Sequence, residues 1–200
     1  MLFSSPPWDQ VTYWALDLET GGLDARVDPI LAVGMVAVRE GVIRLGETYR
    51  TLVRPPHAQA IALASIQAHQ LVWDEVKEAP TVADVLREVD RRLREGVLLV
   101  HHAPIDVAFL KRAYKASGMR WPGPVVVDTV ELLFKVARRS RFSNPQALNE
   151  PPQLNLAAAR RNAGLPDYQA HDALSDAVST AELFLWLRQK LQARKLRELR

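Results

Sequence analysis

The stretch from Tyr13 to Leu23, Tyr-Trp-Ala-Leu-Asp-Leu-Glu-Thr-Gly-Gly-Leu, constrains this chain more than any other. An apolar run stops abruptly at Asp17-Leu18-Glu19, and Gly21-Gly22 turns the chain directly afterwards. Read as a strand, the run places residues i and i+2 on one face. The Asp17 and Glu19 carboxylates then stand about 6.5–7 Å apart along the strand and point the same way. Two anions at the end of a buried strand repel each other and resist losing water. A hard divalent cation such as Mg²⁺ or Mn²⁺ removes that penalty, because it takes oxygen ligands. A polar strand end followed by a turn accounts for the same residues equally well, so the remaining acids must decide.

Bulk properties narrow the field. A chain of 200 residues suits one domain with at most a short appendage. No run of 18 or more apolar residues is present, so no helical membrane span is expected. The first seven residues lack a basic start and a long apolar segment, which reads against a secretory leader. Cysteine is absent, which excludes disulfides, thiolate catalysis and cysteine-ligated zinc. A soluble cytoplasmic protein is the resulting expectation. The net charge of +3 permits an anionic partner without requiring one.

Residues 1–10 read as an extended lead-in, because Pro6-Pro7 blocks a helix. Residues 11–18 form a nearly continuous apolar strand, as expected for a central one. A second strand spans 30–39. Glu40-Gly41 makes a hairpin turn, and a third strand follows at 42–53, with Ile43, Leu45, Tyr49, Thr51 and Val53 on one face. Residues 57–79 read as irregular with short helices. Thr81 is placed to cap a helix whose stripe is Val82, Val85, Leu86, Val89 and Leu93. A short buried strand at 97–101, a helix at 104–117, a strand at 124–127 and a helix at 131–138 come next. Residues 140–152 read as a loop. Helices at 154–162 and 172–191 complete the pattern, and the basic residues 192–200 read as a tail. The expectation is an α/β domain over 11–191, with a five-stranded mixed sheet whose first three strands are antiparallel. Functional groups then belong at the carboxyl ends of the strands, where Asp17 and Glu19 lie.

Two further acids fall at such places. Asp106, in His101-His102-Ala103-Pro104-Ile105-Asp106, opens the helix that follows the fourth strand. Asp176, in His171-Asp172-Ala173-Leu174-Ser175-Asp176-Ala177, lies in the first turn of the last helix. Each alone reads as well as a helix-dipole partner or a solvated acid. Together, four carboxylates can hold two divalent ions about 3.5–4 Å apart, the arrangement that serves phosphoryl transfer to an in-line water. A histidine titrates near neutrality, so His171 is suited to take the proton from that water.

These motifs resemble those of the DEDDh 3′–5′ exonucleases, the superfamily of the proofreading epsilon subunit of bacterial replicases, RNase T and oligoribonuclease. Asp-x-Glu-Thr-Gly-Gly at 17–22, His-His-Ala-x-x-Asp at 101–106 and His-x-Ala-x-x-Asp-Ala at 171–177 match the three exonuclease motifs in order and spacing. The resemblance implies an RNase H-like fold and two Mg²⁺ or Mn²⁺ ions. It makes Asp17, Glu19, Asp106 and Asp176 the metal ligands and His171 the general base. It assigns Thr20, Gly21, Gly22 and Leu23 to the segment that packs against the terminal nucleotide. His102, Ile105 and Gln70 depart from the family's frequent Asn, Phe and Gly.

The implied function is a two-metal-ion 3′–5′ exonuclease releasing 5′-mononucleotides from single-stranded or 3′-overhang nucleic acid. A polymerase partner and a homodimer are both open, and no membrane partner is expected. Two alternatives are a catalytically silent nucleic-acid-binding or polymerase-associated scaffold of the same fold, and a phosphohydrolase of small phosphoesters. A silent module is expected to have lost at least one of the five residues, yet all five are present. Arg138, Arg139 and Arg141 are open to phosphate contact or to closing a helix end. Asp128, at a strand end, reads as a helix cap.

Overall fold

A computed structural model describes residues 5–57, 71, 73–143 and 151–200, with backbone alone for 141–143. Five strands, β1 (Tyr13–Thr20), β2 (Ile30–Arg39), β3 (Val42–Leu52), β4 (Val97–Val100) and β5 (Val126–Asp128), form one sheet in the order β3-β2-β1-β4-β5. β1 is antiparallel to β2 and parallel to β4, so the sheet is mixed.

Among the described residues, five helices of two turns or more flank the sheet: α1 (Val82–Leu93), α2 (Ala103–Ala116), α3 (Thr129–Ser143), α4 (Leu156–Asn162) and α5 (Ala173–Leu191). Residues 73–76 add one helical turn. β1 is apolar and buried from Tyr13 to Leu16 because both its faces are covered there. Tyr13 and Ala15 join Leu132, Phe184 and Leu187 in a core under α3 and α5. Trp14 and Leu16 join Val85, Leu86, Phe109 and Leu110 in a second core under α1 and α2. Each such large apolar side chain, fully buried, contributes about 1.5–3 kcal/mol of transfer free energy.

Several expectations shift. Thr81 caps α1 as expected, accepting from the Asp84 amide. β3 does not keep one face from Ile43 to Thr51. Val36 pairs with Thr48 and Ala37 with Arg44, so residues 45–47 bulge out. Leu45 is consequently exposed, and Ile43 and Tyr49 pack on opposite faces of the sheet. α3 starts two residues earlier and runs to Ser143, into the stretch read as a loop. α4 starts at Leu156, because Asn155 caps it by accepting from the Ala158 amide. Residues 192–200 are not a frayed tail. They turn at Leu196–Leu199 and bury Ala193, Leu196 and Leu199 against the α5 core. Gln70 and residues 144–150 of the expected loop lie outside the described residues.

Candidate active site

β1 brings Asp17 and Glu19 to its carboxyl end on the face that α5 covers. The direct partner of Asp17 on β2 is Gly34, and the partner of Gly34 on β3 is Arg50. Directly paired residues share a face, so Asp17, Gly34 and Arg50 form a row across three strands. A Cβ on Gly34 would lie 2.1 Å from the Ala173 carbonyl carbon. The missing side chain therefore lets the start of α5 rest on the sheet. Asp176, one turn into α5, meets the β1 acids there. Carboxylate oxygens of Asp17, Glu19 and Asp176 all lie within 4.8 Å of one another. The register of β1 slips between Glu19 and Thr20, and such a bulge re-aims side chains at a strand end.

Asp106 approaches from another side. β4 pairs with β1 only over Tyr13–Ala15, which leaves the β1 backbone beyond Ala15 open on that edge. Asp106 is buried, and the Leu18 amide on this part of β1 opposes the rise that burial gives its carboxyl pKa. It lies outside the three-carboxylate group, yet its charge acts on Asp17 more strongly than any other. Asp128 sets the start of its helix. One Asp128 oxygen accepts from the His102 amide at 2.9 Å, and the other accepts from the Ala103 amide at 2.8 Å. The first also accepts from Val130 at 2.9 Å, so Asp128 caps two helices. His102 takes a left-handed turn there, φ 77°. His101 bridges Thr129 and the Leu154 carbonyl at 2.7 Å each, and burial lowers its pKa.

The electrostatics follow from crowding. Burial first, and then Asp106, Asp176, Glu19 and Asp172, push the Asp17 carboxyl well above its ordinary range. Burial also raises Asp106 to about 8, opposed by its own and the Leu18 amides. Asp176 is raised by burial, while Tyr168 and the His171 amide act the other way. An all-carboxylate donor set that resists ionising together fits a hard divalent cation, which supplies the missing positive charge.

His171 precedes the Asp172 cap of α5 in a left-handed turn, φ 67°, and is exposed. Its amide donates to Asp176 Oδ2 at 2.9 Å. A cleft of about 380 Å³ opens beside the cluster, lined by Glu19, Ala32, Arg50, Leu52, His171 and Asp172. Arg50 pairs with Asp172 across it at 2.5 Å. A larger cavity of about 600 Å³, between α1, α2 and the end of β3, lacks the clustered acids.

The Thr20–Leu23 segment is tightly tied. Thr20 donates to the Gly22 carbonyl at 2.6 Å, and the Gly21 amide donates to Pro29 at 2.8 Å. A Cβ on Gly22 would collide with the Asp28 carboxylate at 2.3 Å. Leu23 is 88% exposed. Arg112 on α2 donates to the carbonyls of Ala25, Val27 and Asp28, which holds the rest of the loop. Arg139 donates to Leu191 and Gln192 at the end of α5. Periodicity gave no signal for Arg50, Arg112, Arg160 or Tyr168. The buried Gly34 inside a strand was a readable sign of close backbone approach.

A five-stranded mixed sheet with clustered acids at the end of its central strand is the RNase H-like architecture. The exonuclease family model of the RNase T type matches residues 14–184, and the chain belongs to that family. It is 34% identical over 191 residues to a DNA polymerase III subunit epsilon-like protein of Rhodobacter capsulatus, covering 95% of this chain and 25% of that protein. It is 31% identical to the 3′-5′ exonuclease DinG of Staphylococcus aureus, covering 90% of this chain and 18% of that one. Escherichia coli exonuclease I in complex with a dA16 oligonucleotide superposes with a TM-score of 0.74 at 16% identity, over 92% of this chain and 42% of that one. The chain thus spans a quarter or less of these curated relatives' length. No described helix is long and apolar enough to cross a membrane.

Proposed function

We propose that this chain is a divalent-metal-dependent 3′–5′ exonuclease module that hydrolyses single-stranded nucleic acid to 5′-mononucleotides. The observation that carries the reading is the meeting of Asp17, Glu19 and Asp176 oxygens within 4.8 Å beside an open cleft, in a chain of the exonuclease family. Asp17, Glu19 and Asp176 hold Mg²⁺ or Mn²⁺, with Asp106 completing the set for a second ion. When bound, the ions lower the pKa of a water and neutralise charge on the phosphate.

The chain's own residues do the rest. His171, on the exposed lip of the cleft, accepts the proton that the attacking water gives up. Thr20 to Leu23 hold the terminal nucleotide: the glycines bring backbone close to it, and Leu23 offers an apolar contact. The cleft beside the carboxylates admits a single strand. The epsilon-like relative supports a polymerase as the partner that delivers the 3′ end.

Incubation with 5′-labelled single-stranded DNA and RNA tests the reading. Stepwise shortening from the 3′ end is expected with Mn²⁺. Chelator and Asp17→Ala should each abolish it. His171→Ala should lose about 10²–10⁴-fold in rate while binding Mn²⁺ like the parent. Parent-like cleavage by His171→Ala across neutral pH removes His171 as the base, and intact activity in chelator ends the metal reading.

A further inference from the structure

We propose that Arg50 binds a phosphate of the nucleic-acid strand, and that Asp172 holds its guanidinium in place until the strand arrives. The inference deepens the exonuclease reading and rests on it for the identity of the ligand. Asp17 pairs with Gly34 on β2, and Gly34 pairs with Arg50 on β3. Arg50 therefore leaves the sheet on the same face as Asp17, two strand spacings or about 9.5 Å away. Its Nη2 donates to Asp172 Oδ2 at 2.5 Å, and both side chains line the cleft shared with Glu19 and His171.

Charge singles Arg50 out. The cleft also presents Glu19, Glu75 and Asp172, and Arg50 is the one Lys or Arg among the described residues that line it. A second cleft of about 640 Å³, along the flank of α5, again has Arg50 and Asp172 in its wall. Its other cation, Arg160, is buried and committed to the Ser179 and Pro166 carbonyls at 2.9 Å each and to Glu182 at 2.6 Å. The Arg50–Asp172 pair thus stands where the two clefts meet, and Arg50 is the exposed cation common to both. A strand of phosphates led toward four carboxylates needs a cation beside its path, and a guanidinium fork matches a phosphate at two N–H groups.

Asp172 can give Arg50 up without loss of the fold. Its other oxygen, Oδ1, caps α5 by accepting the Ser175 amide at 3.0 Å, and the Gly34 gap seats the helix start on the sheet. Neither contact uses Arg50. The pair is open to water, with 64% of the Arg50 side chain and 28% of the Asp172 side chain exposed, and such pairs contribute little to stability. While it lasts, it keeps a long side chain ordered over the cleft, so less rotamer freedom is lost when a phosphate arrives. A phosphate oxygen then replaces Oδ2 as the acceptor, and no proton moves.

Fluorescence anisotropy of a 5′-labelled single-stranded DNA, in chelator and across a salt series, reads the contact without cleavage. Arg50→Gln should raise Kd about tenfold and flatten the slope of log Kd against log salt by about 0.7, the loss of one phosphate contact. Its melting midpoint should match that of the parent. Asp172→Asn keeps the cap and should lower Kd about threefold; added to Arg50→Gln, it should gain much less. Parent-like Kd and salt slope in Arg50→Gln overturn the contact. An equal gain from Asp172→Asn with and without Arg50 overturns the hold by Asp172. A lowered melting midpoint with an unchanged salt slope makes the pair a fastener of the fold and overturns the proposal. Parent protein that binds the strand but leaves it uncut in Mn²⁺ ends the exonuclease reading and leaves the Arg50 contact standing.

Discussion

Asp17 and Asp106 keep their protons far above the ordinary carboxyl range, so this fold should be sensitive to pH in a way that metal reverses. For Asp106 the cause is burial, and its pKa rises from 3.8 to about 8. Below pH 3.8 the group is protonated whether the chain is folded or not, and it costs nothing. Between about pH 4 and 8 the unfolded chain releases the proton and the folded one retains it. Unfolding is therefore favoured increasingly as pH rises, until the folded group also ionises near 8. In chelator the melting midpoint should fall steadily from about pH 5 to 8, and Asp106→Asn should flatten that fall. Mn²⁺ should restore the midpoint most at high pH, because the ion replaces bound protons. Scanning fluorimetry across a pH series, with and without Mn²⁺, measures this; a flat chelator profile would refute it. Alternation along a strand was enough to read Asp17 and Glu19 as a pair from the sequence. Asp106 was named as the fourth acid from its motif, but its burial beside the open edge of β1 was not readable, because that depends on the pairing of β4 with β1 stopping at Ala15. Arg50 was equally hidden, since only the register of β3 sets it in the Asp17 row.

At the scale of elements, the site exists because a helix start touches a strand that has no side chain in the way. Gly34 supplies that gap, and it is buried among apolar residues of β2. A methyl group there would lie 2.1–2.3 Å from backbone atoms of Ala173 and Leu174. Backbone cannot rotate aside as a flexible side chain can, so α5 must lift. Gly34→Ala should cost about 1–3 kcal/mol of stability and weaken Mn²⁺ binding, because Asp176 moves with the helix. Gly46→Ala, where a Cβ meets nothing within 4 Å, is the matched control and should do neither. Urea titration and Mn²⁺ titration of the two variants decide it. The strand and helix order was legible because both cores impose clear periods. The bulge at residues 45–47 was missed because a regular alternation was carried through Gly46, although a glycine within a strand is itself a sign of such a break.

For the whole molecule, the two chain ends act as one fastening at the amino end of the central strand. After α5 the chain reverses at Gln192, φ 51°, and Arg188 ties the turn by donating to the Ala193 carbonyl at 2.9 Å. Lys195 then bridges to Pro7, the Trp8 amide donates to Arg194 at 3.1 Å, and the Leu196 amide donates to Pro6 at 3.0 Å. Arg188 also lies 4.2 Å from the Trp8 ring centre, which in turn meets Phe184 edge-on. Leu196 and Leu199 complete the core that holds Tyr13 and Phe184. Asp17 and Glu19 sit toward the other end of β1, about 13 and about 20 Å from Tyr13 at strand rise. Stability and chemistry are therefore served by opposite ends of the same strand. Leu199→Ala should cost about 2–5 kcal/mol and lower the melting midpoint by many degrees. Mn²⁺ affinity measured well below that midpoint should match the parent, because the carboxylates and α5's first turn are untouched. A Leu199→Ala protein that melts normally would show that the C-terminal turn is not part of the core. One that loses Mn²⁺ while still folded would show that the two ends of β1 are coupled.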